Sequence, residues 1–561
     1  MSTKDTNSSL SRTESLTADI ANSIKANWDV PALSNLGGVP ISYSTIAQKI
    51  ATYHIAFGLG GIRPGDKIAL CAKNSVDWAV AFLSVLTYGA VAVPILNEFH
   101  PDSVHHLVDH SDSKLLFVDE TVRRTLDPEK LKKLIGIFEL ERMQLAFSPS
   151  TKLKSIVENL PKEFAEKYPD GLTRDNFAES YYHDRPDDLC LINYTSGSTG
   201  QSKGVMLTYG NLWSNARYAV NNIPFLQAGD GMVSMLPLAH MFGMLFELIF
   251  PLLKGCHISF LGRVPSPAVL LKAFADVKPK LVLTVPLVIE KIVNNKIMPV
   301  LNKPFIKFLR SIPGINNSIY KGVRRKMIEA FGGQLEQLVI GGAALNPDVA
   351  SLLRRVHFPF TVGYGMTECA PLITYCRWDR QKPDSVGKVV DRMRVRIDSK
   401  DQENIPGVLW VKGDNVMKGY YKNPEATAEV FENGWMNTGD ICTIDDDGYV
   451  YIKGRDKTMI LGPSGQNIYP EEIEAKLNNL PFVAESIIVE RDGKLVALVY
   501  PDHDAAEEAH ISKEKIDELM DYNLNTLNRS VPAYSRVSRL HLVDEPFEKT
   551  PKHSIRRYLY K

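Results

Sequence analysis

Residues Asn193 to Gly204 read Asn-Tyr-Thr-Ser-Gly-Ser-Thr-Gly-Gln-Ser-Lys-Gly, with glycines set among Ser and Thr hydroxyls and a lysine near the end. Backbone N–H groups and hydroxyls in such a loop can wrap a polyphosphate. Glycine lets the backbone approach closely and take positive φ, while Lys203 offers a mobile charge to the outer phosphates. Thr195, Ser196, Gly197, Ser198, Thr199, Gly200 and Lys203 are therefore candidate phosphate ligands. The loop is not of the Walker type, because its Gly and Lys lack the G-x-x-x-x-G-K spacing. The apolar run Leu189 to Tyr194 before it and a helical stretch after it predict strand, loop and helix in that order, a place where a free Ser/Gly linker does not belong.

The elements that must hold such a loop are legible around it. Helical segments such as Tyr43 to Phe57 alternate with short β-branched runs, Lys67 to Leu70, Leu189 to Tyr194, Leu281 to Val285 and Leu338 to Ile340. That alternation predicts an α/β fold of parallel sheets covered by helices. After Arg455 the character changes. A helix near Pro470 to Leu480 precedes a hairpin, Ser486 to Glu490 and Lys494 to Tyr500, turned at Asp492 and Gly493. The expected organisation is a loosely ordered lead-in (1–19), a large N-terminal domain (20–454) and a small α+β C-terminal domain (455–561). The charged stretch Asp127 to Arg174 is expected to be a surface insertion.

With these segments in view, the chain resembles the adenylate-forming superfamily of acyl-CoA synthetases, nonribosomal adenylation domains and firefly luciferase. The resemblance rests on the loop above together with Leu236-Pro-Leu-Ala-His240, Gly341-Gly-Ala-Ala344, Gly363-Tyr-Gly-Met-Thr-Glu368, Asn437-Thr-Gly-Asp440, Lys453-Gly-Arg455 and Ser464-Gly-Gln-Asn-Ile-Tyr-Pro-Glu-Glu472, in family order over nearly the whole chain. It implies a large AMP-binding domain with a small mobile lid. It also implies joining of a carboxylate to the α-phosphate of ATP as an acyl-adenylate, with pyrophosphate release, followed by transfer to a thiol.

The resemblance assigns roles residue by residue. Within Gly363, Tyr364, Gly365, Met366 and Thr367, it puts Tyr364 against adenine and Thr367 on the α-phosphate. Glu368, helped by Thr195, would hold Mg²⁺; a hard cation that bridges phosphate oxygens needs few protein ligands. Gly342, Ala343 and Ala344 would lie beside adenine, where small side chains leave room for a flat ring. Asp440 would accept hydrogen bonds from the ribose hydroxyls with Arg455 assisting, Lys457 would be the hinge, and Gly465 would line the channel for the thiol arm. His240 would stand between the carboxylate and the acyl pocket; a histidine satisfied within the core is the equal alternative.

One position departs from the pattern. The family's closing Pro-Lys-Thr-x-x-Gly-Lys stretch reads Glu548-Lys-Thr-Pro-Lys-His-Ser-Ile-Arg-Arg557 here, which places Ser554 at the lysine that bridges acyl carboxylate and phosphates. Serine cannot supply that charge. Lys552 is the expected substitute, with Lys549 and Arg556 as the other candidates. A non-catalytic acyl or nucleotide sensor is the competing expectation.

For the acid, Gly243 and Met244 follow Phe242 where amino-acid-activating relatives place an Asp for the substrate ammonium, so an uncharged, apolar acid is expected. Met241 to Leu253 supplies apolar wall, and the overall look is that of bacterial long-chain fatty acid:CoA ligases. CoA is the expected acceptor, since no carrier domain follows Lys561; a free-standing acyl carrier protein is the runner-up.

Composition bounds the partners. The 65 basic and 65 acidic residues leave no net charge to favour nucleic acid or an anionic bilayer. A local patch, Lys303 to Lys326, could still rest on a membrane; a solvated helical surface is the plainer reading. The six cysteines show no C-x-x-C pair and suggest neither disulfides nor a thiolate metal site. A cytoplasmic setting is expected, as the lead-in lacks the apolar core of a secretory signal. Val76 to Leu96 is long enough to span a bilayer but is expected to be buried helix and strand parted by Gly89. The sequence leaves oligomeric state open, a homo-oligomer included.

Overall fold

Apolar runs that alternate with helices become parallel strands. The structure, a computed structural model, describes residues 15–196, 202–263, 265–305, 315–461, 467–491, 493–549 and 555–560. Its largest sheet has eight strands in the order 419–420, 202–208, 189–196, 91–95, 67–71, 113–118, 136–139 and 144–147. The strand Lys67–Cys71 lies parallel to both Val91–Ile95 and Ser113–Val118, with Ile68 opposite Ala92 on one side and Leu115 on the other. Such strands are buried on both faces, which is why they read as continuous apolar runs without alternation.

The candidate membrane run is taken apart inside this core. Ser75 caps the helix Val76–Tyr88 by accepting from the Trp78 amide, and Gly89 ends it at φ +84. A Cβ at Gly89 would lie 2.6 Å from the Tyr182 ring, so glycine is required by backbone conformation and by space alike. The chain then enters the strand Val91–Ile95, buried throughout. Among the described residues no helix is long and apolar enough to cross a membrane.

Two expectations need correction. Gly204 was expected to lead from the loop into a helix, yet Ser202–Thr208 is a second strand, antiparallel to Leu189–Ser196. Val205 and Leu207 are buried, and a Cβ on Gly204 would press on Ile192 at 2.9 Å and the Tyr194 ring at 3.1 Å. The two segments that flank the loop are therefore paired antiparallel strands. The helix begins only at Tyr209, where Thr208 and Asn211 form a capping box. Nor is Asp127 to Arg174 an insertion. Its strands Gly136–Glu139 and Gln144–Phe147 complete the sheet, and its helix Thr151–Lys167 buries Leu153 and Leu160.

A second core lies around Phe274, Phe331 and Phe358, under a parallel sheet of Leu281–Thr284, Gln337–Ile340 and Phe360–Val362. An antiparallel sheet follows, in which Trp435–Ile444 pairs with Gly407–Gly413 and with Val450–Arg455. Towards the C-terminus the hairpin Val483–Arg491 and Lys494–Pro501 forms as expected and is joined in parallel by Arg539–Leu542. The helices Pro470–Leu477 and Lys513–Ser530 pack over it around Leu477, Met520 and Leu527. The fold is thus α/β in a large N-terminal part and α+β in a smaller C-terminal part. Of Lys303 to Lys326, residues 306–314 lie outside the described residues; the helix Ile315–Ala330 turns Met327 into the second core.

Candidate active site

Parallel strands expose their next backbone groups at their C-terminal ends, the usual place for ligands in open α/β sheets. Gly341 follows Gln337–Ile340 and donates its N–H to the Thr284 carbonyl (3.1 Å); Gly363 follows Phe360–Val362 and donates to Ile340 (2.9 Å). The two predicted nucleotide segments thus leave adjacent strands side by side. Gly342 has φ +89, in the region that favours glycine. A Cβ at Gly341 would sit 3.2 Å from the Phe242 ring, so the helical turn Met241–Gly243 rests directly on this segment.

Tyr364, Asp440 and Arg455 meet. The Tyr364 hydroxyl donates to Asp440 Oδ2 at 2.5 Å, and Arg455 Nε lies 3.0 Å from Asp440 Oδ1. Asp440 and Arg455 face each other across two paired strands, and Asp440 is 4% exposed. Burial, then the Asp440 charge, pushes the Tyr364 phenol well above its ordinary value, so it remains a donor at neutral pH. Both carboxylate oxygens of Asp440 are served before any ligand arrives, which fixes the side chain as a preformed acceptor.

Thr367 and Glu368 lie in the short turn Thr367–Cys369. Asn215 and Asn415 hold that turn by donating to the Cys369 carbonyl at 2.7 and 3.0 Å. Glu368 Oε1 accepts from the Tyr420 hydroxyl at 3.0 Å. On the hairpin, Thr195 lies opposite Lys203 and Ser196 opposite Ser202. The Lys203 ammonium stands 5.0 Å from the centroid of the same Tyr420 ring.

His240 follows a loop fixed from three directions. Asn74 donates to the Leu236 carbonyl (2.6 Å) and accepts from the Leu238 amide (2.9 Å); Asn193 donates to the Ala239 carbonyl (2.8 Å). Glu247 Oε2 accepts from the Ser234 hydroxyl and from the Met235 and Leu236 amides at 3.1, 3.0 and 2.9 Å. Glu247 is fully buried in a widened helical turn, Met244–Ile249, and burial raises its carboxyl well above the usual range. The rest of Met241 to Leu252 is apolar and mostly buried, as expected of core or pocket wall.

Lys549, a candidate for the missing charge, pairs with Glu485 of the C-terminal part, and Arg556 lies 3.7 Å from Glu548. Gly197, Ser198, Thr199, Gly200, Gly465, Lys552 and Ser554 lie outside the described residues. Asn74, Glu247, Asn415 and Tyr420 escaped sequence reasoning. Each is a lone polar residue in an unremarkable stretch, and only its partners, distant in sequence, give it meaning.

The sequence matches the AMP-binding enzyme family over residues 21–421 and the AMP-binding enzyme C-terminal domain over 456–560. It is 29% identical over 503 residues to a long-chain-fatty-acid–CoA ligase of Yersinia pestis, covering 85% of this chain and 84% of that one. It is 29% identical over 461 residues to a feruloyl-CoA synthase of an Amycolatopsis species, covering 81% of each. The fold superimposes on ATP-bound MatB from Rhodopseudomonas palustris with a TM-score of 0.75 at 22% identity, covering 97% of this chain and 98% of that one. Both parts of the family are thus matched in order along a chain that sets the nucleotide segments side by side, and the protein belongs to the AMP-binding enzymes.

Proposed function

We propose that this protein is an ATP-dependent long-chain fatty acid:CoA ligase. A fatty carboxylate oxygen attacks the α-phosphorus of ATP, the bond to the bridging oxygen breaks, and pyrophosphate leaves. The sulfur of the CoA thiolate then attacks the acyl carbonyl of the adenylate, AMP leaves, and a thioester remains. In this reading Tyr364 and Gly342 to Ala344 hold adenine, Asp440 accepts the ribose hydroxyls beside Arg455, and Lys203 and Thr367 meet the phosphates. His240 orients the carboxylate at the mouth of the acyl pocket. Glu368 and the Thr195 hydroxyl are hard oxygen donors of the kind that suits Mg²⁺, which would neutralise phosphate charge when bound.

The observation that carries the choice of acid is the wall formed by Met241 to Leu252, with Phe242 against Gly341. Its single acid, Glu247, has its carboxyl raised above the usual range by burial and gives one oxygen to three protein donors, so it is already engaged within the protein and is no counter-ion for a substrate ammonium. An alkyl chain gains roughly 0.8 kcal/mol per methylene in such surroundings, which favours a long acid. The relative that makes feruloyl-CoA keeps an aromatic acid in contention.

Purified protein incubated with ATP, Mg²⁺ and acids from acetate to oleate, ferulate included, with and without CoA, tests this. Pyrophosphate, AMP and thioester are followed together. Thioester formed best from long acyl chains is the expected result. A preference for ferulate would replace the acid. Nucleotide binding without pyrophosphate from any acid would favour the sensor reading that Ser554 invites, and thioester formed only on an acyl carrier protein would replace CoA.

A further inference from the structure

Tyr420 touches both charged groups assigned to the phosphate end of ATP. It belongs to the two-residue strand Gly419–Tyr420, which extends the large sheet beyond the returning arm of the phosphate hairpin, with Tyr420 opposite Val205. The flanking backbone is tied to the same arm: Lys418 donates to the Met206 carbonyl at 2.9 Å and Tyr421 to the Gly204 carbonyl at 2.7 Å. The Tyr420 amide is taken by Thr427 Oγ1 at 2.9 Å. With its backbone fixed and the residue 7% exposed, the side chain has little freedom. Its hydroxyl donates to Glu368 and its ring supports the Lys203 ammonium.

We infer that Tyr420 is a positioning residue for the phosphate site, holding the Glu368 carboxylate and the Lys203 ammonium apart and aimed before nucleotide arrives. The inference rests on the roles proposed above for Glu368 and Lys203. A carboxylate and an ammonium held by one buried side chain attract each other. Paired with each other, they would be lost to the cation and to the phosphates. The phenol prevents this in two ways: its O–H occupies one carboxylate oxygen, and its ring face offers the ammonium a weaker partner that a phosphate can displace.

The two functions separate by substitution. Tyr420→Phe keeps the ring beneath Lys203 and removes only the bond to Glu368. Tyr420→Leu removes both. ATP binding to the full-length protein is measured by calorimetry with Mg²⁺ and, separately, with EDTA, beside the KM for fatty acid. For Tyr420→Phe the Kd for Mg²⁺-ATP is expected to rise roughly tenfold, the loss of a hydrogen bond to a charged group. Its Kd for metal-free ATP and its KM for acid should stay within about twofold, since the ring that Phe retains still partners Lys203 and keeps it from the freed Glu368 oxygen. Tyr420→Leu should weaken metal-free ATP binding as well. Equal losses with Mg²⁺ and with EDTA for Tyr420→Phe, or no loss in either, would overturn the inference. Glu368→Gln is the control: if it too leaves the Mg²⁺ dependence of ATP binding intact, the assignment of Glu368 itself has failed, and not the inference about Tyr420 alone.

Discussion

Asp440 shows how much of this site is settled by single side chains. Its oxygens are held by Tyr364 and Arg455, and it is almost wholly buried within the strand Trp435–Ile444. Asp440→Asn keeps the shape, discards the charge that in the proposed reading strengthens bonds to ribose hydroxyls, and removes the carboxylate that faces Arg455. The KM for ATP should rise roughly ten- to a hundredfold, with the KM for acid within about twofold. Steady-state kinetics with each substrate varied in turn checks this, and a parallel rise in both values would assign Asp440 to general structure. The missing lysine is a question of the same scale. Lys549 is engaged by Glu485, and in the proposed reading Lys552 supplies the charge. Lys552→Met is expected to lower acid-dependent pyrophosphate release by roughly a hundredfold while ATP still binds; unchanged release would move the role to Lys549 or Arg556.

At the scale of elements, the loop before His240 is shaped by its neighbours. Glu247 and Asn74 together satisfy five polar groups of residues 234–238: the Ser234 hydroxyl, three amides and the Leu236 carbonyl. Burial disfavours charge on Glu247, and Gln keeps an oxygen that can accept the same three bonds. Glu247→Gln is expected to cost under about 1 kcal/mol in urea unfolding, whereas Glu247→Leu strands two buried N–H groups and a hydroxyl and should cost about 3 kcal/mol or more. Equal losses would show that the three accepted bonds contribute little. Gly243 is a second control on the loop. A Cβ there would lie 2.6 Å from the Pro237 carbonyl oxygen, so Gly243→Ala must push the loop aside. The KM for acid should then rise several-fold while the KM for ATP holds; no change in either would separate the loop from the acyl site.

At the scale of the whole molecule, pH acts through groups far from the site. His54 is buried between two helices and bonds the Ser180 hydroxyl, the Ser84 carbonyl and Thr87 Oγ1 at 2.8, 3.1 and 3.1 Å. Desolvation is the main cause that lowers its pKa to about 3. Since the folded value lies below the unfolded one, the unfolded chain takes up the proton first as pH falls. The stability that neutral His54 contributes is therefore present above about pH 6.5 and drains away towards pH 3. Between pH 7 and 5 this one group should remove about 2 kcal/mol from the unfolding free energy. Urea titrations at both pH values test it: His54→Asn should lose less stability over that interval than the parent protein, and an identical loss would place the pH dependence elsewhere.

Much of this protein could be read from its sequence because its information is local. Alternating helical segments and short β-branched runs marked Tyr43 to Phe57, Lys67 to Leu70 and Leu281 to Val285, which became the helix Tyr43–Leu59 and the strands Lys67–Cys71 and Leu281–Thr284, and a turn signal marked the C-terminal hairpin. Motifs contiguous in sequence marked Thr195, Glu368 and Asp440, because a backbone turn and its ligand groups must travel together. What stayed hidden was whatever depends on partners far along the chain. The sequence reads Ser202–Thr208 as part of a loop before a helix, since a glycine-bearing strand is defined by the strands it pairs with on either side. Tyr420 meets Glu368 across 52 positions, and Asn74 meets Leu236 across 162. No period or spacing encodes such distances. Sequence determined which groups the protein has and which short elements carry them; the tertiary structure alone decided which groups face one another, because burial and hydrogen bonding reward closeness in space without regard to separation along the chain.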